Sequence, residues 1–325
     1  MAHYIKLYDK KYEVHENSYV EENYTIIKKI GEGSHGVVYL VMENKGDNKK
    51  MFVMKKTKYR GYREDFAEVI IFSHFKLRCK GLLTMDNFFF TWGEDEDEET
   101  IYLHILIDYI ENVVDLFIFY KELHDKENYL KQFYKIFLDI SMCIKCLHDI
   151  NIIHLDIKPL NILVKYDDKN DYNTYQSYLI DYGLSCFFDL DKDDINSNHR
   201  CLYKKKIFEG VEYLFFAPEI YEISNETEIG SHSDIYSLGI NMFMILFNVK
   251  FTSSDYNSIY NTLSELKKDS DVEFLLRMID KDHTIRPNID DVISFIKMKL
   301  KELEGLEELE GLEELEELEG LELKE

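Results

Sequence analysis

The stretch IIHLDIKPLNILV, residues 152–164, places a carboxylate, an ammonium and a carboxamide within six residues, at Asp156, Lys158 and Asn161. Short apolar runs flank the three and would anchor the loop to a core, so that the polar groups point at one place. There a carboxylate can accept a proton, a lysine can neutralise an oxyanion and an asparagine oxygen can ligate a hard cation. Together these suit phosphoryl transfer, where positioning and charge neutralisation carry most of the catalysis. The alternative is a surface loop of ordinary polar residues, and the rest of the chain has to decide.

A chain of 325 residues, 45% hydrophobic and 14% aromatic, is long enough for two lobes with their own cores. The 63 acidic residues outnumber 39 basic ones, for a net charge of -24, which argues against a nucleic-acid backbone as partner. The one basic run, Lys204 to Lys206, reads as a solvated loop. Five cysteines without framework spacing predict reduced thiols, and Cys143 and Cys146 read as packing residues on a helix face. The N-terminus has no apolar signal region, and Ala2 excludes N-myristoylation. Ile235 to Val249 is too short to span a bilayer and contains two Asn, so it predicts a buried core helix. An intracellular protein, cytoplasmic and without membrane partners, is the expectation. The few Pro among many Tyr, Phe, Ile, Asn and Lys suggest an AT-rich genome, such as that of a large DNA virus or a protist. A viral source would place the protein in host cytoplasm or virion.

Residues 1–23 are polar, without clear periodicity, and read as an N-terminal extension. From Tyr24 to about Ile110 the pattern is mostly strand-like. YTIIKKI and VVYLVME flank a glycine turn, and KMFVMKK follows. REDFAEVIIFSHFKL has helical spacing. DNFFFTW and TIYLHILIDYI are joined by the acidic run Glu94 to Glu99, a solvated hairpin loop. From Glu111 onward the chain reads as mostly helical, with the longest 3.6 period in NYLKQFYKIFLDISMCIKCLHD and a short strand YLID ending at Asp181. In the tail, residues 301–325, Leu recurs at every third position from Leu303 to Leu321. A step of three drifts around a helix, so no single apolar stripe forms. Its 12 Glu against 2 Lys supply -10 of the net charge. This predicts a frayed acidic helix outside the core. The competing reading is a helix that binds a partner or self-associates.

GEGSHGVV places Gly31, Gly33 and Gly36 at G-x-G-x-x-G between two strands, with no helix following. That placement disfavours a dinucleotide fingerprint. It suits a hairpin whose backbone N–H groups approach phosphates without Cβ obstruction. FVMK with Lys55, HLDIKPLN, DYG at 181–183, APE at 217–219, SDIYSLG with Asp234 and RP at Arg286 follow in order. In these motifs, over about Tyr24 to Leu300, the sequence resembles the eukaryotic-type protein kinase family. The resemblance implies an α+β, bilobal fold. A small antiparallel sheet with one main helix would form the N-lobe, about 24–110, and a larger, mostly helical C-lobe would occupy about 111–300.

The resemblance also implies roles. Gly31, Glu32, Gly33, Ser34 and Gly36 would cover the phosphates of ATP. Lys55 would bind the α and β phosphates, held by Glu68, with Glu64 as the fallback one turn earlier. Asp156 would take the proton from the substrate hydroxyl, and Lys158 would neutralise the transferring phosphoryl group. Asn161 and Asp181 would hold Mg²⁺, with Mn²⁺ as a substitute. Val38, Val53 and Leu163 would sandwich adenine. Asp108 to Ile110 would form the hinge, Ile107 would guard the back pocket and Asp115 would contact ribose. Glu219 and Arg286 would form an internal ion pair, Asp234 would brace the catalytic loop, and His154 would pack beneath it.

Some positions depart from the family pattern. Leu155 replaces the Arg that binds a phosphorylated activation loop, Tyr182 replaces Phe, and Val211 follows Gly210 where Ser/Thr kinases carry Thr. Leu160 stands where basic-directed kinases carry an acid, so the net charge does not imply basic peptide substrates. Lys158 in D-x-K-P-x-N matches the serine/threonine branch. The expectation is an active, Ser/Thr-directed protein kinase acting on protein substrates. Two alternatives are a pseudokinase that binds ATP and serves as a scaffold, and a small-molecule kinase of related fold, which the intact APE and Arg286 disfavour.

Overall fold

The computed structural model describes the chain except residues 1–2, 8–9, 34–35, 46–48, 62, 76–78, 96–97, 124–128, 168–173, 188–213, 222–228, 250–255, 266–269 and 323–325. Seven strands form the N-terminal sheet: β1 (His3–Leu7), β2 (Lys10–His15), β3 (Tyr24–Gly33), β4 (Gly36–Glu43), β5 (Met51–Tyr59), β6 (Met85–Asp95) and β7 (Glu98–Asp108). Their order is β1-β2-β6-β7-β5-β4-β3. The five strands expected from the sequence are present. β1 and β2 are additional, two strands within residues 1–23, where the sequence shows no clear periodicity. Only Leu7 and Val14 of this hairpin reach full burial, which is too few to show a period of two. Its position comes from pairing with β6, where Val14 faces Phe90 and His15 faces Thr91. That pair is parallel, so the sheet is mixed and not wholly antiparallel.

A short helix, α1 (Ser18–Asn23), links the hairpin to β3. The expected helix after β5 is shorter than its periodicity: a 3₁₀ turn over Arg63–Phe66 leads into α2, Ala67–Ser73. Gly36 turns the glycine hairpin with φ of 119°, and a Cβ there would lie 2.3 Å from the Lys56 carbonyl oxygen. No L side chain fits that backbone.

The C-terminal region starts at β8 (Val113–Asp115) and α3 (Leu116–Leu123). It is built round α4 (Tyr129–His148), which buries Phe133, Phe137, Ile140, Ile144 and Leu147 on one face. This is the i, i+3, i+4 stripe of an amphipathic helix. After α4 come two short ladders: β9 (Ile152–Ile153) pairs with β12 (Cys186–Phe187), and β10 (Ile162–Lys165) pairs with β8 and with β11 (Gln176–Leu179). β11 ends before Asp181, not at it. Helices α5 (Pro218–Tyr221), α6 (Ser231–Leu246), α7 (Tyr256–Ser264) and α8 (Ser270–Met278) follow. α6 is the expected core helix, buried along most of its length. Among the described residues no helix is long and apolar enough to cross a membrane.

Two expectations are corrected here. The last core helix and the acidic tail are one continuous helix, α9 (Ile289–Glu322), and Leu303 of the first repeat packs on the core beside Leu300. The helix runs through residue 300 without a break. The cysteines are not all reduced: Cys79 and Cys146 are disulfide-bonded across 67 residues with Cα atoms 6.4 Å apart, and Cys186 is disulfide-bonded as well. Gly81, at φ 94°, brings the segment after α2 so close to α4 that a Cβ would lie 2.6 Å from Cys143 Sγ. This approach is tertiary and leaves no mark in cysteine spacing. Cys143 itself packs as expected: it is buried and free, with burial pushing its thiol up to about 12.

Candidate active site

Lys55 lies in the middle of β5, opposite Val38 on β4 and Ile105 on β7. Its Nζ is 2.7 Å from Glu68 Oε2 on α2 and 2.8 Å from Asp181 Oδ1. Burial alone would lower the lysine pKa. The Glu68 and Asp181 carboxylates outweigh that and raise it, so Lys55 stays charged. Among the described side chains Glu68 is the helix partner of Lys55, and the side chain of the fallback, Glu64, lies outside those described.

Asp156 sits between two donors. Lys158 Nζ lies 3.0 and 2.8 Å from its two carboxylate oxygens, and Asn161 Nδ2 donates to its Oδ2 at 2.8 Å and to its carbonyl at 2.9 Å. The loop holding this trio is fixed from below. Asp234 Oδ2 accepts from His154 N at 2.8 Å and Oδ1 from Leu155 N at 2.9 Å, and Asn241 Nδ2 donates to the Ile157 carbonyl at 3.0 Å. His154 Nδ1 accepts from Asp156 N at 3.2 Å while Nε2 donates to the Ile180 carbonyl at 3.1 Å. That pattern belongs to a neutral imidazole, and burial lowers the His154 pKa against the pull of Asp234, Asp156 and Asp181. His154 is the packed core histidine expected.

Tyr182 is fully buried. Its ring meets Phe72 and Phe75 at centroid distances of 5.2 and 4.8 Å and His154 at 5.4 Å. Its hydroxyl donates to the Leu179 carbonyl at 2.8 Å, which explains how Tyr is accommodated where the family has Phe. Leu155 and Asp181 both hold positive φ, 62° and 66°. Such strain in non-glycine residues persists only where surrounding contacts enforce it.

A cleft of about 600 Å³ opens beside these groups. Val38, Val53 and Leu163 line it, as do Ile107, Asp108, Tyr109 and Ile110, and Lys55, Glu68, Asn161 and Asp181 form its inner end. Gly31 lies on its wall, but Glu32, Gly33 and Gly36 line an adjoining cavity of about 520 Å³ that shares Glu68 and reaches Gly183. Asp115 is on the cleft wall, and one of its oxygens accepts from Ile118 N at 2.9 Å, capping α3. Ser34, Gly210, Val211 and the run 204–206 lie outside the described residues. Sequence reasoning missed His148, whose Nε2 is 2.9 Å from Asp234 Oδ2, and Asn241, which bonds the Ile157 carbonyl, because each contact joins segments far apart in the chain.

Asn161 spends its amide nitrogen on Asp156, so its oxygen is the atom left for a cation, on the same cleft wall as the Asp181 carboxylate. Two hard oxygen donors fit Mg²⁺, which takes its remaining ligands from phosphate and water. Among the described residues no three His, Cys, Asp or Glu side chains cluster as a metal cage.

Beyond the cleft, Arg286 Nη1 and Nη2 bind Glu219 Oε1 and Oε2 at 2.8 and 2.9 Å, as expected. Burial would raise the Glu219 pKa, but the Arg286 hydrogen bonds and charge prevail and lower it.

The family described as Protein kinase domain matches residues 24–302. The chain belongs to the protein kinase family. Similar kinases include one described as a serine/threonine-protein kinase from Acanthamoeba polyphaga mimivirus, 30% identical over 64% of this chain and 71% of that protein. The serine/threonine-protein kinase ELM1 of Saccharomyces cerevisiae is 26% identical over 50% of this chain and 26% of its own length. The membrane-associated tyrosine- and threonine-specific cdc2-inhibitory kinase of Drosophila melanogaster is 29% identical over 69% and 36%. The chain thus covers most of the viral relative but only about a quarter to a third of the other two. The fold is that of the family, bilobal, with a sheet-rich N-lobe and a helical C-lobe. The kinase domain's match begins at Tyr24, after the β1–β2 hairpin.

Proposed function

We propose that the chain transfers the γ-phosphoryl of ATP to a protein hydroxyl, Ser or Thr, with Asp156 as general base. The observation that carries the reading is a pair of trios joined at one cleft: Lys55, Glu68 and Asp181 line it, and so does Asn161, which bonds Asp156 beside Lys158. The first trio meets the nucleotide phosphates through Lys55. The second meets the acceptor, where Asp156 draws the hydroxyl proton and Lys158 lies against the transferring group. Such base catalysis is typically worth about 100- to 10,000-fold. Bound at Asn161 and Asp181, Mg²⁺ would neutralise phosphate charge. Adenine would lie between Val38, Val53 and Leu163, with the backbone of Asp108 to Ile110 at its edge, Ile107 behind it and the ribose toward Asp115. Gly31, Glu32, Gly33, Ser34 and Gly36 would cover the phosphates.

The choice of Ser or Thr rests on Lys158 and on the names of the viral and yeast relatives. The pseudokinase alternative has less support, since Lys55, Glu68, Asn161 and Asp181 all line one cleft. Purified protein with radiolabelled ATP, Mg²⁺ and generic protein substrates tests the reading. Label should enter Ser or Thr of the substrate and vanish in Asp156→Asn, which should still bind ATP. Binding without transfer by the wild-type chain would leave the scaffold reading standing.

A further inference from the structure

The β1–β2 hairpin lies outside the matched family segment, yet it touches the element that carries Glu68. Tyr12 on β2 packs on Phe66 at a centroid distance of 5.7 Å, and on Phe88 and Phe90 at 5.4 and 6.1 Å. Phe66 ends the 3₁₀ turn and is the N-cap residue of α2, two before Glu68, and it is 1% exposed. Phe66 also meets Phe88 at 5.2 Å. Tyr12 thus completes an aromatic cluster formed otherwise by α2 and β6. Leu7 and Val14, both buried in the main core, hold the hairpin in place.

α2 needs such support. It has seven residues, far below the length at which a helix is stable by itself, so packing sets its position. Its N-cap residue, Phe66, makes no side-chain capping hydrogen bond. Its far end is held by Phe72 and Phe75 against Tyr182. Its near end is held by Phe66 against β6 and Tyr12. A shift at that end moves Glu68 away from Lys55, a contact now 2.7 Å long.

We propose that the N-terminal hairpin, through the ring of Tyr12 on Phe66, is a built-in brace that keeps Glu68 on Lys55. Tyr12 is a positioning residue: it touches neither cleft nor substrate and acts through α2. The ring does the work, so Tyr12→Phe keeps the function. The kinetic arm of the test rests on the phosphotransfer reading, and a second arm does not.

The test compares Tyr12→Ala, Tyr12→Phe, Glu68→Gln and the double variant Tyr12→Ala/Glu68→Gln in the full chain. Amide hydrogen exchange is followed in α2, with α4 as internal reference. Tyr12→Ala should speed exchange in α2 about tenfold relative to α4, and Tyr12→Phe should not. In the kinetic arm Tyr12→Ala should lower kcat/KM for ATP about tenfold, and it should add nothing in the Glu68→Gln background. A lower melting temperature with unchanged relative exchange in α2 would reduce the hairpin to a stabilising strand and overturn the proposal. So would effects that multiply fully in the double variant. If Tyr12→Ala does not fold, Tyr12→Leu, which keeps an apolar side chain on the strand, carries the same comparison. A wild-type chain without transferase activity defeats the functional reading, and the exchange arm still decides the brace.

Discussion

Leu155 donates its backbone N–H to Asp234 Oδ1 at 2.9 Å while its own backbone is held at φ 62°. The same carboxylate takes the His154 N–H and lies 2.9 Å from His148 Nε2. Burial would raise the Asp234 pKa, but the His148 hydrogen bond and charge outweigh it and lower it, so the group is an anion that fixes two successive amides. Asp234→Ala would strand both N–H groups in the core at a cost of about 1–3 kcal/mol each. Asp234→Ala should therefore unfold at clearly lower denaturant and lose most transferase activity. Activity and midpoint equal to wild type would show that the loop holds itself.

The side chain of Leu155 is 1% exposed and belongs to the main core. It offers no guanidinium to a phosphate, so phosphorylation cannot order a neighbouring segment through this position. Phosphatase-treated kinase, checked by intact mass, should match the initial rate of untreated kinase. A tenfold fall would correspond to about 1.4 kcal/mol of activation drawn from phosphate, and the expectation would be withdrawn.

His104 stacks on Phe89 at 4.8 Å, hydrogen-bonds Thr91 Oγ1 at 2.9 Å and is 1% exposed. Burial, helped by the Lys56 charge, pushes its pKa down from 6.5 to about 3. A histidine lowered on folding is neutral in both states above pH 6.5. Below that the unfolded chain binds the proton first, so stability is lost as pH falls toward the folded value. Between pH 7 and pH 5 this one group should cost about 2 kcal/mol. His104→Gln should flatten the pH dependence of the denaturation midpoint over that range by about this amount, and an unchanged slope would refute the assignment.

The Cys79–Cys146 bond closes a loop of 67 residues that joins the segment after α2 to α4. In the chain-entropy account such a loop is worth roughly 4 kcal/mol. Cys146→Ser should lower the melting temperature by several degrees under non-reducing conditions, and a reductant should lower that of wild type by more than that of the variant, in which only the Cys186 bond is left to reduce. Identical melting curves for all three would show that the bond does not form in solution.

How much of this was legible in one dimension depends on how far apart the cooperating residues lie. Asp156, Lys158 and Asn161 are neighbours in the chain, and Gly31, Gly33 and Gly36 share one turn, so spacing alone exposes them. The period of α4 is local in the same sense. Ordered motifs extended that reading to Lys55, Asp181, Glu219 and Arg286, whose contacts the fold then supplied. The strands β1 and β2, the disulfide, the contact of His148 with Asp234 and the reach of Asn241 to the catalytic loop have no local signature. Each depends on surfaces brought together from separate segments. The residue types thus determined which groups could perform the chemistry. Tertiary packing alone decided that Tyr182 finds a carbonyl for its hydroxyl and that α9 carries the first tail leucine onto the core, because burial and hydrogen bonding act through space and not along the chain.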